Sequence, residues 1–297
     1  MKALLICPSK RPAIPHLSVS GPLATIPILG ESLVGHWIEH LVSLGAKQIR
    51  VVTVDEQEHV ALSVGNGARW GVSISFTSSS GQPSREEAVR EFRPRDETDW
   101  LPEPNDVVVM SHLPGFSELP LFESYASWYV ALTAWMPRAL TPTRVRVVEK
   151  LPGIWVGSRA RVSQKAKLIS PCWVGDQVAV GPGAVIGPGS ILEDRSVVGA
   201  KASVRESWIG PDTCVGPMTS VAGSLAWGSR LIDWRNDSSL QVPDPFLLGS
   251  LVSPPFGATT DRFGRSLGTA EPSRAQHPLI AAMRTPLAQS SNLKPSG

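Results

Sequence analysis

The stretch that decides the fold is Val156–Val204, VGSRARVSQKAKLISPCWVGDQVAVGPGAVIGPGSILEDRSVVGAKASV. Every sixth residue in it is aliphatic: Val156, Val162, Leu168, Val174, Val180, Ile186, Leu192, Val198 and Val204. Two positions before an aliphatic residue stands a small one, at Ala160, Ala166, Cys172, Val178, Ala184, Ser190, Ser196 and Ala202. Glycine follows the aliphatic residue at Gly157, Gly175, Gly181, Gly187 and Gly199. Residues two apart on a strand face the same side, so both registers point inward. Glycine after the aliphatic residue suits a tight corner. Three such sides close a triangular coil of about 18 residues, and coils stack about 4.8 Å apart through backbone hydrogen bonds. No side has a core of its own, so several coils must form together.

This pattern resembles the hexapeptide-repeat family, which implies a left-handed parallel β-helix over about residues 150–230. After a one-residue deletion the repeat resumes at Ile209-Gly210, Val215-Gly216, Val221 and Trp227-Gly228, with Ser207, Thr213 and Thr219 in the small register. The skip between Val204 and Ile209 predicts an irregular corner. Leu231-Ile232-Asp233-Trp234 and Phe246-Leu247-Leu248 read as a cap over the open end, so helix and cap span 149–250. From about Ser253 the composition turns to Pro, Ser, Gly, Thr and Arg, and 251–297 reads as a disordered tail, in which 277–284 could form a helical turn or two.

Residues 1–148 read as an α/β domain. Ala3–Ile6 and Ile49–Val54 are apolar strand runs. Between them residues 31–45 place Leu33, Val34, Trp37, Ile38, Leu41 and Leu44 on one helical face, stopped at Gly45. Strand, helix and strand make a βαβ unit of a parallel sheet. A second helix is expected at 56–64, strands at 72–76 and 106–110, a short helix near 85–87, an aromatic helix over 121–136 and a strand over 144–148.

This half resembles the sugar-phosphate nucleotidyltransferases. The resemblance rests on Pro22-Leu23-Ala24-Thr25-Ile26-Pro27-Ile28-Leu29-Gly30, on Leu33, Trp37, Glu39-His40-Leu41 and Leu44-Gly45, on Ile49-Arg50-Val51-Val52-Thr53, and on Gly67-Ala68-Arg69-Trp70-Gly71-Val72-Ser73-Ile74. It covers about residues 1–115 and implies a Rossmann-type sheet and transfer of a nucleotidyl group from an NTP to a sugar 1-phosphate. Many members carry a C-terminal left-handed β-helix, in the order expected here.

Nucleotidyl transfer needs backbone amides around the phosphates, a basic side chain on the attacked phosphorus and carboxylates on Mg²⁺. The resemblance places the Gly-rich loop after the first strand. Here that stretch is Cys7-Pro8-Ser9-Lys10-Arg11-Pro12, with no glycine and two prolines that lack amide donors. Gly21-Pro22 stands where the family has Lys-Pro. Val108-Val109-Met110 runs into Ser111-His112 without the expected acid, with Asp106 read as a turn residue, and Ser78-Ser79-Ser80-Gly81-Gln82 replaces a Gly-Thr segment. The pattern predicts a degenerate homologue that binds or scaffolds within sugar-nucleotide or polysaccharide biosynthesis. No catalytic or metal-binding residue is assigned. Lys10 and Arg11 are the phosphate-binding candidates, and Mg²⁺ is expected only if nucleotidyl transfer is retained.

Two enzyme alternatives stand beside this reading. One is an active sugar-1-phosphate nucleotidyltransferase. The other is a hexapeptide-repeat acyltransferase, which needs a general base, usually His. His16, His36, His40, His59, His112 and His277 all lie outside 151–250, so a base must come from another domain or subunit. His36 and His40 have the i, i+4 spacing of a metal pair but are expected on the solvated helix face.

Trp155 and Trp173 are 18 residues apart, so they stack in successive coils and point outward, as does Trp208 before Ile209. A tryptophan column on an outer face implies a cover: the N-terminal domain, the C-terminal segment or a second subunit. The three are interface candidates, and a homo-oligomer, trimer or dimer, through the β-helix is expected. With 28 basic and 26 acidic residues the formal charge is +2, which gives no argument for nucleic acid or an anionic membrane, and neither is expected as a partner. No apolar run reaches a membrane span or a secretory leader. The odd set Cys7, Cys172 and Cys214 has no metal spacing and suits a reducing cytoplasm, with a sugar phosphate or nucleotide as the small-molecule partner.

Overall fold

The computed structural model describes residues 1–19, 21–93, 98–139 and 147–252. The chain divides into two units, Met1–Ser253 and Pro254–Gly297, and the second, with the expected tail and its 277–284 segment, lies outside the described residues.

The first unit opens with strand β1 (Lys2–Ile6). A hairpin of β2 (Pro27–Ile28) and β3 (Glu31–Ser32) leads to helix α1 (Leu33–Ser43). Ser32 caps α1, its hydroxyl accepting from the Gly35 amide at 3.1 Å. Then come β4 (Gln48–Thr53), α2 (Gln57–Val64), β5 (Ser73–Ser78), α3 (Arg85–Phe92), β6 (Val107–Val109) and α4 (Tyr125–Trp135). The head sheet has the order β5-β4-β1-β6 and every pair in it is parallel. One face is packed by Leu33, Trp37, Ile38 and Leu41 of α1 and by Trp128, Leu132 and Trp135 of α4, and the other by Ala88 and Phe92 of α3 with Trp100. The expected strand at 144–148 is seen as β7 (Val147–Leu151); 144–146 lie outside the described residues.

From β8 (Ile154–Gly157) onward the chain coils through three parallel ladders. One runs through β8, Cys172–Val174, Ser190–Leu192, Trp208–Ile209 and Ser224–Trp227; the others run through Val180, Val198 and Val215, and through Leu168, Ile186, Val204 and Val221. This three-sided parallel coil fits a left-handed β-helix. Trp155 pairs with Trp173 across 18 residues, whereas Ile191 pairs with Trp208 across 17, so the missing residue shortens a coil without breaking a ladder. The inward column Val156, Val174, Leu192, Ile209 and Ala226 is buried in one core with Cys172. The strands Arg230–Asp233, Ser238–Gln241 and Leu248–Ser250 add antiparallel to the last coils and form a cap there.

Of the corner glycines, Gly187 takes the left-handed backbone expected, at φ 100°, while Gly157, Gly175, Gly181 and Gly199 do not. Gly199 has an ordinary φ, and a Cβ there would stand 2.5 Å from the Pro217 nitrogen of the next coil. Glycine is required there by close approach of stacked backbones. Several left-handed corners are taken instead by Gln177, Arg195, Asp212 and Met218. A second correction concerns His36: its Nε2 lies 2.7 Å from the Ile28 carbonyl and its ring meets Trp135 edge-on, so it faces the core.

Candidate functional site

In an open parallel sheet, ligands bind at the carboxyl ends of strands where the strand order reverses. Here the chain builds outward from β1 through β4 to β5, then crosses back to place β6 on the other side. The loop after β1, carrying Lys10 and Arg11, leaves from that reversal.

Its donors are engaged by the chain itself. Gln82 Oε1 accepts from the Ser9 amide at 3.1 Å and from Arg11 NH2 at 2.7 Å. Asp55 Oδ2 accepts from the Lys10 amide at 3.0 Å, and Glu56 Oε1 accepts from Lys10 Nζ at 3.3 Å. Side-chain oxygens thus sit where a phosphate would be received. Asp106 lies in the bend that leads into β6, and there it is 1 % exposed, held by Arg85 at 2.5 Å and Arg93 at 2.8 Å. Mg²⁺ wants several oxygen ligands in octahedral array. Asp55 and Glu56, the carboxylates beside the loop, face an amide and an ammonium, so the set does not fit it. Among the described residues no group of three or more His, Cys, Asp or Glu is arranged for a metal.

Trp155, Trp173 and Trp208 point outward as expected, and their cover is the head of the same chain. With Ile191, Leu225 and Ile232 they belong to one apolar core with α1, α4 and the head sheet. Polar contacts fix this seam. The Tyr129 hydroxyl donates to the Gly189 carbonyl at 2.6 Å. Fully buried Glu193 accepts from the Leu29 amide at 2.7 Å, the Gly30 amide at 2.9 Å and Trp208 Nε1 at 3.0 Å. Burial pushes its carboxyl up to about 7, against those donors.

Two cavities open along the seam. The larger, about 270 Å³, is walled by His16 and Leu17 of the head, Trp208, Leu225 and Trp227 of the coils, and Ser229, Arg230, Ile232, Gln241 and Ser250 of the cap. The smaller, about 160 Å³, shares Leu17 and Trp227 with it and is also walled by Thr25, Pro27, His59 and Ser63. His16 Nε2 lies 2.9 Å from Ser239 Oγ, and partial burial, then the charge of Arg230, hold its imidazole below the usual range. His59 Nδ1 lies 3.5 Å from Glu56 Oε2. His16 thus touches the cap, and both histidines line cavities that Trp227 of the coils also lines.

Sequence reasoning did not find Gln82, Asp55, Glu193 or Arg230. Only Glu193 left a local mark, since it stands after Leu192 where glycine follows other aliphatic residues. The burial of Cys7, Cys172 and Cys214 raises all three thiols, that of Cys172 to about 11, so they are packing groups. Among the described residues no helix is long and apolar enough to cross a membrane.

Fold and site together define a class: a parallel α/β head docked on a three-sided parallel β-helix. No family model and no curated protein matches the chain. Among solved structures it is similar to the acetyltransferase domain of PglB from Neisseria gonorrhoeae FA1090, in complex with acetyl coenzyme A, at 16% identity over 62% of this chain and 89% of that one, with TM-score 0.21. It is also similar to a mutant of perosamine N-acetyltransferase from Caulobacter crescentus, in complex with CoA and GDP-perosamine, at 14% identity over 60% and 92%, with TM-score 0.17. At these scores neither likeness bears on what the chain does.

Proposed function

We propose that the chain is a degenerate nucleotidyltransferase homologue that binds or scaffolds within sugar-nucleotide or polysaccharide biosynthesis. One observation carries this reading. The loop after β1 spends its donors on Gln82, Asp55 and Glu56, so a phosphate must displace three side chains to be held there. The homo-oligomer belongs to the same proposal, through the helix faces that the head leaves free. The test is incubation of the purified chain with each NTP, Mg²⁺ and hexose 1-phosphates, following pyrophosphate release. No turnover is expected, and Lys10→Gln with Arg11→Gln is expected to leave ligand binding within about twofold. Turnover that those two changes abolish would instead establish the active nucleotidyltransferase.

A specific observation favours one second reading. His16 and His59 supply, from the head, the imidazole that a hexapeptide-repeat acyltransferase needs and the coils lack. The His16 imidazole, held below its usual range by partial burial and Arg230 beside the cavity, suits a general base. The measurement is thiol release from acyl-CoA across a panel of amine and hydroxyl acceptors. Release that His16→Ala or His59→Ala removes would move the chain into that class.

A further inference from the structure

The larger seam cavity has a one-sided electrostatic character. Its walls carry one guanidinium, Arg230, and one imidazole, His16, and no carboxylate. Among the described residues Arg230 has no ion-pair partner; its contact is Gln241 Oε1 at 3.4 Å, a long and weak hydrogen bond. Asp237, at the turn of the same hairpin, does not line the space. The smaller cavity, which shares Leu17 and Trp227, has His59, with hydroxyls from Thr25 and Ser63, and again no carboxylate.

The other half of the lining is apolar and flat. Trp227 walls both cavities, and Trp208, fully buried, meets it edge-on at 5.6 Å between ring centroids. Leu17, Leu225 and Ile232 extend that wall. Polar groups stand beside it: Gln241 Nε2 donates to Ser229 Oγ at 2.6 Å, next to Arg230. A concave space with a few convergent polar groups on an apolar wall is the usual form of a small-ligand site.

We propose that this seam binds a phosphate ester carried on a ring, the phosphate at Arg230, Ser229 and Gln241 and the ring against Trp227. An arginine without a carboxylate has its paired donors free for phosphate oxygens. The flat indole provides the face on which a ring rests. Trp227 lines both cavities, about 270 and 160 Å³, so the space beside it suits a ring the size of a sugar or of a nucleoside. Because head and cap both contribute walls, the ligand reports that the seam is closed. The proposal rests on the binding reading above and moves the binding site from the β1 loop to the seam.

The test is calorimetric titration of the full chain with inorganic phosphate, a hexose 1-phosphate and a nucleoside monophosphate, with tryptophan fluorescence followed in parallel. At least one of the two esters is expected to saturate and to perturb the fluorescence, and whichever binds identifies the ring. Arg230→Gln, at a half-buried cap position, is expected to weaken it roughly tenfold or more. Trp227→Leu is expected to weaken the ester while leaving inorganic phosphate unchanged. Lys10→Gln with Arg11→Gln is expected to change neither. An ester that binds equally well to Arg230→Gln protein would overturn the seam site while leaving the binding reading intact. Inorganic phosphate binding as tightly as both esters would overturn the role of the ring. No saturation by any probe, in protein whose melting curve is that of the folded chain, would remove both.

Discussion

Glu193 is the residue on which head and helix agree. It is a fully buried carboxylate, like Asp106, but the groups that face it are three N–H donors, from the head hairpin turn and from Trp208, with no guanidinium among them. Burial is the larger influence, and it lifts the folded carboxyl from 4.5 to about 7. The folded state therefore holds a proton that the unfolded chain releases between those values. Stability from this group is full below about pH 4.5 and falls as pH rises to about 7, by roughly 3 kcal/mol at most. Denaturant unfolding at pH 5 and pH 8 should show that loss, and Glu193→Gln should flatten it. Asp176 works the other way: Arg159 holds its carboxyl low, so its contribution goes only as pH drops below the usual carboxylate range. The two effects occupy separate windows, and a parent chain equally stable at both pH values would show that Glu193 is ionised in the fold throughout.

The coil is the element whose tolerance can be measured most directly. Gly199→Ala drives a methyl to 2.5 Å from backbone of the next coil, which cannot swing aside as a side chain could. An overpacked position of this kind costs about 1–3 kcal/mol. Gly81→Ala, where an added Cβ meets nothing within 4 Å and φ is ordinary, should stay within about 0.5 kcal/mol. Thermal melts of the two variants provide the comparison. This element is also where the sequence was most readable. Its inward register is a local rule, repeated every six residues, so Val156 through Val204 state it nine times. The reason for the glycines was less readable, because close approach between coils and a left-handed corner favour the same residue. In the head, α1 was evident from its spacing, but the burial of His36 was not, since its cover is Trp135, far along the chain. The partners of Lys10 and Arg11 are 46 and 71 residues away, with no periodicity to announce them.

At the scale of the whole molecule, the tryptophan column decides how many faces the β-helix has to offer. An outward column could have been covered by a second subunit, and Trp155 and Trp173 are instead 4 % and 0 % exposed within one chain. The ladder they occupy is therefore spent on the head, and a homo-oligomer through the β-helix must use its other two faces or the cap. Trp155→Asp with Trp173→Asp tests this arrangement. Each change removes a large buried ring and leaves a carboxylate facing apolar α1 and α4, so the pair should cost well over 4 kcal/mol. The loss should fall on the seam, with apolar dye binding up and the head melting earlier, while the parallel coils, whose own core is untouched, keep their β-sheet circular dichroism. The mass of the assembly by light scattering should not change at temperatures where the coils are intact. Trp155→Phe with Trp173→Phe, which keeps apolar rings in place, should preserve the seam with a smaller loss of stability. If the Asp pair halves or thirds the mass and leaves dye binding unaltered, the column is covered by a neighbouring subunit and the head docks elsewhere.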